Sequence, residues 1–256
     1  MNDYNGVWLE KALRSLHRLG ETQSDAIATA AEWSADAIAS DGLVHLFGSG
    51  HSRIPVEEMF PRYGSFPGFN PIVELSTTFH TQVVGNNGQR QAMFIERVSG
   101  LAEAVLSNYE FGPADVYVGF SVSGSSAMPV EMLTGAKSRG LKTIAVTSVR
   151  GGGRMAQEAD LVIDIGVPDG DALVEIVGAE APVGPVSSLL YVAVVNEIKV
   201  RTAALLVARG KMPPILAGAS VVGYARSKEL FTAAYDEHAR RASRILRGAS
   251  REQVLS

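Results

Sequence analysis

The chain contains no cysteine. Disulfides, thiolate zinc sites and cysteine nucleophiles are therefore excluded. No apolar run is long enough to span a bilayer. The N-terminus, MNDYNGVWLEKALRSLHRL, is amphipathic and carries acids where a signal peptide would have an apolar core. Positive charge is not in surplus either: 23 Lys+Arg against 27 Asp+Glu give a net charge of −4. That balance argues against nucleic acid or an anionic membrane as the main partner. It leaves room for a local basic pocket that holds a small anion. A cytoplasmic setting fits these absences.

Three nucleotide and nucleophile signatures are missing as well. There is no G-x-x-x-x-G-K-[ST], which excludes a P-loop. GSGHSR supplies Gly48 and Gly50, but Arg53 stands where a dinucleotide fingerprint has its third glycine. Gly119-Phe-Ser121-Val-Ser123 misses the nucleophile elbow because its fifth position is not glycine. No internal repeat, low-complexity segment or dividing linker interrupts the chain.

What is present reads as alternating strands and helices. The 256 residues are 46% hydrophobic, with mean hydropathy +0.11, which is enough for a sizeable core. Leu9, Leu13 and Leu16 recur at helical spacing and predict a helix over residues 4–19, and a second over TQSDAIATAAEWSADAIAS. Leu43 to Phe47 predicts a buried strand that ends in GSGHS, followed by a helix through PVEEMF. Ile72 to Leu75 predicts another strand after a Pro/Gly loop. Residues 90–108 read as helical, with Gly100 as a break. DVYVGF, LKTIAVTS and DLVIDIG are further buried strands, and MPVEMLTGAKSRG is a helix with Gly140 at its C-cap. SSLLYVAVVNEIKVRTAALLVARG is a long helix with Ser187 or Ser188 as N-cap, and a basic helix follows Pro213-Pro214. Such an order predicts an α/β fold, a parallel sheet with helices on both faces.

Two loops stand out, at 48–52 and 121–126. Both follow predicted strands, at the carboxyl edge where open α/β sheets bind ligands. In GFSVSGSSAMPVE, Ser121, Ser123, Gly124, Ser125 and Ser126 lie just ahead of a helix. A helix N-terminus offers unpaired N–H groups, serines add hydroxyl donors, and glycine admits close approach, so the stretch suits a phosphate. The plainer alternative is a turn in which Ser126 merely caps the helix.

The strand–SxSGxS–helix unit of DVYVGFSVSGSSAMPVEMLTGAKSRGLKTIAVTS resembles the signature of the SIS (sugar isomerase) family. The likeness extends through GSGHS with Glu57-Glu58 and through DLVIDIGVPDGDA, covering roughly residues 40–210. The nearest likeness is to stand-alone SIS proteins similar to sedoheptulose-7-phosphate isomerases. It implies a three-layer α/β/α sandwich with a five-stranded parallel sheet. The chain is expected to be a single SIS domain over residues 1–256, extended by N-terminal helices (about 1–40) and C-terminal helices (about 211–256). The resemblance places a phosphate on Ser121, Ser123 and Ser126, with Ser125 at a variable position. It points to a sugar phosphate as ligand and to a homodimer or homotetramer whose sites a neighbouring subunit completes.

Aldose–ketose isomerisation needs a base that moves a proton between C1 and C2, and an acid near the carbonyl oxygen. Glu57 and Glu58 are adjacent, about 100° apart around a helix, so one can enter a site while the other faces solvent or pairs with a base such as Arg62. Glu58 aligns with the catalytic glutamate of the heptose isomerases. Glu197 is the rival, on the helix that carries the glutamate of the glucosamine-6-phosphate synthase isomerase domain. His51, between Gly50 and Ser52, is favoured as a neutral imidazole near a sugar hydroxyl. His80 is a weaker candidate. His45 reads as a satisfied core residue, while His17 and His238 sit on presumed surface helices. Ser187 and Ser188 open the late helix toward the same edge. Heptose isomerases carry zinc-binding histidines; here Ile54 stands near the first position and the late helix has none. No zinc and no other cofactor is therefore expected. Asp169 and Asp171 suit either sugar hydroxyls, a cation or an acidic turn. Arg240, Arg241 and Arg244 read either as a solvated face or as groups that reach a neighbour's ligand. A lyase or deaminase of the etherase type, and a non-catalytic sensor, stay open on the same scaffold.

Overall fold

The computed structural model describes residues 3–77 and 88–245. His80 lies outside the described residues. Four of the apolar runs become β1 (Val44–Gly48), β3 (Val116–Phe120), β4 (Lys142–Thr147) and β5 (Leu161–Asp164), and β2 (Phe69–Pro71) joins them. The strands run in the order β2-β1-β3-β4-β5, and every neighbouring pair is parallel. This is the five-stranded sheet of a three-layer sandwich. The strand expected at Ile72–Leu75 instead lies just upstream. Pro71 is tolerated there because β2 is an edge strand, and Ile72 still donates its N–H to the Leu46 carbonyl at 2.8 Å.

Residue alternation sorts the two faces. Val44, Leu46, Val116, Val118, Phe120, Ile144 and Val146 join one core with residues of α1 (Val7–Ala39), α2 (Ile54–Met59) and α7 (Ser187–Ala208). Phe47, Tyr117 and Ala145 join the other with residues of α4 (Leu101–Leu106), α5 (Ala127–Ser138) and α6 (Arg154–Glu158). Both faces are buried, which is why these strands read as continuous apolar runs.

The N-terminal region corrects the expectation of two helices: α1 is one helix of 33 residues. Gly20 lies exposed within it. A mid-helix glycine costs about 1 kcal/mol, and the packing of the buried face outweighs that. Ala30, Ala31, Ser34 and Ala35 are fully buried, and their small side chains let α7 approach until Thr202 donates its hydroxyl to the Ala31 carbonyl at 3.3 Å. The helical stretch 90–108 does break, into α3 (Gly88–Ile95) and α4, with Gly100 as the N-cap of the second. At the end of α5, Gly140 and Leu141 donate to the carbonyls of Lys137 and Ala136, the paired bonds of a Schellman C-cap. A hairpin not foreseen from the sequence, β6 (Ala172–Val174) with β7 (Val183–Pro185), leads into α7.

After the short α8 (Ala219–Val222), α9 (Tyr224–Ala242) returns to the amino edge of the sheet. Arg240 and Arg244 both pair with Asp41. Buried Arg241 donates to the carbonyls of Ile38 and Gly42 at 3.1 and 2.8 Å. The basic run therefore clips α9 onto the end of α1. Hydrogen bonds from Arg240 and Arg244 hold the Asp41 carboxyl well below its usual range. His238 is also less exposed than a surface position implies: its ring packs tilted against Phe60 with centroids 4.8 Å apart, and burial lowers its pKa. His45 is fully buried, between Asp115 Oδ2 at 3.0 Å and Asn70 Nδ2 at 3.1 Å.

Candidate functional site

Parallel pairing places Gly48 beside Phe120 and Phe120 beside Val146. The loops after β1, β3 and β4 therefore leave the sheet side by side. The first becomes a 3-10 turn over Gly50–Arg53. The second is the serine loop. The third, Ser148–Gly153, acts as its buttress. A Cβ on Gly153 would lie 2.0 Å from the Ser123 carbonyl oxygen. Gly124 takes a left-handed φ of +59°, and its carbonyl accepts the Met155 N–H at 3.0 Å. Both positions need glycine, the one for space and the other for conformation.

Within the serine loop, Ser121 Oγ accepts the Gly124 N–H at 3.1 Å, and Ser125 Oγ donates to the Ser123 carbonyl at 3.0 Å. Ser123 and Ser125 are exposed at its mouth. Ser126 precedes α5 without capping it through its side chain. Its hydroxyl instead donates to Glu96 Oε1 at 3.1 Å. In the first turn of α5, Met128 gives its N–H to the Glu96 carbonyl at 2.8 Å, and Pro129 has none. That leaves Ala127 as the first-turn amide open to a ligand.

Glu96 also joins the first loop. Ser49 Oγ donates to Glu96 Oε2 at 2.9 Å and lies 3.1 Å from the Thr77 carbonyl oxygen. One carboxylate thus spans the gap between the two Ser/Gly loops. His51 is exposed on the first loop, and Ser52 is half-buried. Ser52 lies beside the buried Tyr191 hydroxyl, which completes no hydrogen bond of good geometry. Burial pushes that phenol far above its usual range; Ser52 counters the shift and the Asp171 charge adds to it.

Glu58 sits in the joint between α2 and α7. Its carboxylate pairs with Arg62 at 2.8 Å and accepts from Asn196 Nδ2 at 3.1 Å. Lys199 donates to its main-chain carbonyl at 2.8 Å. Burial lowers the Lys199 pKa, opposed by the Glu58 charge and reinforced by Arg62. Glu57 turns outward to Arg53 at 3.2 Å. Glu197 is exposed on the next face of α7 and pairs with Arg201 at 3.1 Å. Asp171 has a structural job. Its Oδ1 accepts the N–H groups of Val186 and Ser187 at 3.1 and 2.8 Å, and Ser187 Oγ donates to its Oδ2. The first turn of α7 is therefore capped from 16 residues away, where a local serine cap was expected. Ser188 is partly exposed beside it.

A model of the SIS domain matches residues 7–148. The chain belongs to the SIS domain family. A UPF0309 protein of Streptomyces griseus is 33% identical over 228 residues, covering 85% of this chain and 89% of that one. A UPF0309 protein of Brucella canis is 35% identical over 200 residues, covering 74% and 80%. Among solved structures, a phosphoheptose isomerase from Francisella tularensis superposes with a TM-score of 0.52 at 14% identity, covering 79% of this chain and 98% of that one. The Vibrio vulnificus NanR protein complexed with ManNAc-6P gives 0.50 at 14%, covering 92% and 69%. These two likenesses show the fold.

In this SIS protein Glu96 links Ser49 of the first loop to Ser126 of the second, Ser52 lies beside Tyr191, and Glu197 is on an exposed helix face. Sequence reasoning missed Ser49, Glu96, Tyr191 and Gly153. Ser49 and Gly153 stand in Gly-rich strand ends and carried a signal; Glu96 and Tyr191 carried none. Beyond the third loop, a cavity of about 660 Å³ is lined by Lys11, Arg14, Arg18, Arg150 and Asp169. Two of its cations are tied to main-chain carbonyls, Lys11 to Leu173 at 2.6 Å and Arg18 to Ile165 at 2.5 Å. Among the described residues, no group of three His, Asp or Glu side chains is placed to hold a metal ion. Among them, too, no helix is long and apolar enough to cross a membrane.

Proposed function

We propose that this SIS-domain protein binds a sugar phosphate at the carboxyl edge of its sheet and interconverts the aldose and ketose forms. The observation that carries this reading is the convergence of serine hydroxyls from two strand-end loops on one gap, at the start of a helix. Membership of the SIS family supports it, as do fold neighbours described as a phosphoheptose isomerase and as a ManNAc-6P complex. In this reading the phosphate lies on Ser121, Ser123, Ser125 and Ser126 with the Gly124 and Ala127 backbone. Gly50 and Ser52 meet sugar hydroxyls, and His51 exchanges a proton with the carbonyl oxygen. Ser187 and Ser188 bound the far side. A glutamate is the base, with Glu58 and Glu197 nominated by resemblance. The reading places the whole chain in the cytoplasm as one extended SIS domain, working without cofactor. Exposed Leu9 (61%) and Leu13 (55%) on α1 support assembly into a homodimer or homotetramer.

Thermal stabilisation by a panel of sugar phosphates, run beside the matching free sugars, tests it. A ligand at a hundred times its dissociation constant adds about 2.7 kcal/mol of apparent stability. The expected result is stabilisation by a phosphosugar, none by its free sugar, and loss of the effect in Ser123→Ala. No response to any phosphosugar would overturn the reading.

A further inference from the structure

We propose that Glu96, rather than Glu58 or Glu197, is the general base of this site. The inference rests on the phosphosugar reading and names the group that would do its chemistry. Among the described carboxylates, Glu96 is hydrogen-bonded to both Ser/Gly loops, through Ser49 at 2.9 Å and Ser126 at 3.1 Å. One loop is assigned to the phosphate and the other to sugar hydroxyls, so a sugar phosphate that bridges them passes the gap that this carboxylate spans. Its backbone is fixed on both sides: the Glu96 N–H donates to the Ala92 carbonyl at 2.9 Å, and the Glu96 carbonyl accepts from Met128 at 2.8 Å. A base must be positioned before its proton arrives, and these bonds position it.

The rivals are held elsewhere. Glu58 is committed to Arg62 and Asn196 in the joint between α2 and α7. Glu197 is exposed and paired with Arg201. Neither has a hydrogen bond to a serine of the two loops. The two serine hydroxyls hold the Glu96 carboxylate. When a phosphate enters, the Ser126 hydroxyl turns to it and Oε1 is released toward the sugar. Glu96 then takes the proton on C2 of the aldose, and the C–H electron pair becomes the C1–C2 double bond. His51 gives a proton to the carbonyl oxygen on C1, forming an enediol. The carboxyl proton then returns to C1 while the hydroxyl on C2 gives its proton to His51 and becomes the ketone. The base is regenerated and no co-reactant is consumed.

The arrangement has a distinctive consequence. A carboxylate beside a phosphate weakens ground-state binding, because like charges repel. Glu96→Gln is near-isosteric and removes that charge. It should bind the ligand more tightly than the wild type and yet exchange the C2 proton of an aldose, or a C1 proton of a ketose, with solvent deuterium about 10²–10⁴-fold more slowly. The test takes the full chain with glucose 6-phosphate, fructose 6-phosphate, ribose 5-phosphate and sedoheptulose 7-phosphate. Binding is read by calorimetry, exchange by proton NMR and folding by circular dichroism. Glu96→Asp, which keeps the charge on a shorter arm, serves as the second variant and should recover part of the exchange. Tighter binding with lost exchange in Glu96→Gln establishes the role. Undiminished exchange in Glu96→Gln overturns it, as does loss of both binding and exchange in a folded Glu96→Gln protein. Binding without exchange in the wild type overturns the base assignment and the isomerisation, and leaves only the phosphosugar-binding part of the reading standing. Absence of binding in both proteins overturns the two together.

Discussion

Asp171 offers a perturbation whose cost can be worked from the structure. It is one of two non-glycine residues with positive φ among the described residues, at +63°. Its carboxylate accepts two backbone N–H groups and one hydroxyl at the start of α7. Replacing an N-terminal cap typically costs about 1 kcal/mol. A left-handed backbone costs an ordinary L-residue about 1–2 kcal/mol more than glycine, with Asn and Asp better tolerated. Asp171→Gly therefore loses the cap alone, while Asp171→Ala loses the cap and strains the backbone. Asp171→Asn keeps one acceptor and tolerates the conformation, so it should be mildest. For a chain of this size 1 kcal/mol shifts the melting temperature by about 2–4 °C. The glycine variant should melt about 2–4 °C below the wild type, and the alanine variant about 2–8 °C below the glycine variant. Thermal melts by circular dichroism read the series. Alanine equal to glycine would refute the backbone argument. Three unchanged variants would refute the cap.

Gly153→Ala should weaken phosphosugar binding by about tenfold or more while leaving the fold intact. Its methyl group would overlap the Ser123 carbonyl oxygen at 2.0 Å, and the serine loop must shift; small misplacements of a site are costly. Titration calorimetry with the best-stabilising phosphosugar checks this. A third prediction concerns acid. Burial would raise the Asp115 pKa, but the hydrogen bond and charge of His45 and the N–H groups of Gly112 and Leu43 outweigh it and hold the value below normal. The folded pKa is thus below the unfolded one. Its contribution is complete above the unfolded value, near pH 4, and is lost as pH falls through the folded value. Denaturant melts across pH 2–6 should show this loss in the wild type and a flatter acid limb in Asp115→Asn, which is less stable at neutral pH.

The strands that were legible are those buried on both faces: Leu43–Phe47, 115–120 and the two that follow announce themselves as apolar runs. β2 was read a few residues late because Phe69-Asn-Pro71 sits in a Pro/Gly stretch, and an edge strand needs no long run. The continuity of α1 across residues 20–21 was not legible because its tertiary support, the close approach of α7, leaves no local trace. The two loops were legible because their serines and glycines are poor strand material. The residue that joins them was not. Glu96 lies 47 residues from Ser49 and 30 from Ser126, in a helical segment where a glutamate is unremarkable. The capping role of Asp171 was not legible for the same reason. Capping signals are sought next to the helix they serve, and this one comes from beyond a hairpin. Buried Lys199 was invisible too, because its acceptors, the Glu58 carbonyl and Asn196, come partly from another helix.

The meeting of Ser49 and Ser126 at one carboxylate has a bearing on how the protein acquires its site. Strands β1 and β3 are parallel, so their junction cannot form as a hairpin; it must wait for a long crossover to close. Such non-local pairings come late and slowly in folding. A nascent chain that holds β3 and α5 but has not docked β1 possesses the serine loop and lacks its counterpart. Retention of phosphosugar affinity during refolding would therefore time the closure of the sheet's centre, and a ligand present from the outset would protect the finished molecule without helping the incomplete one.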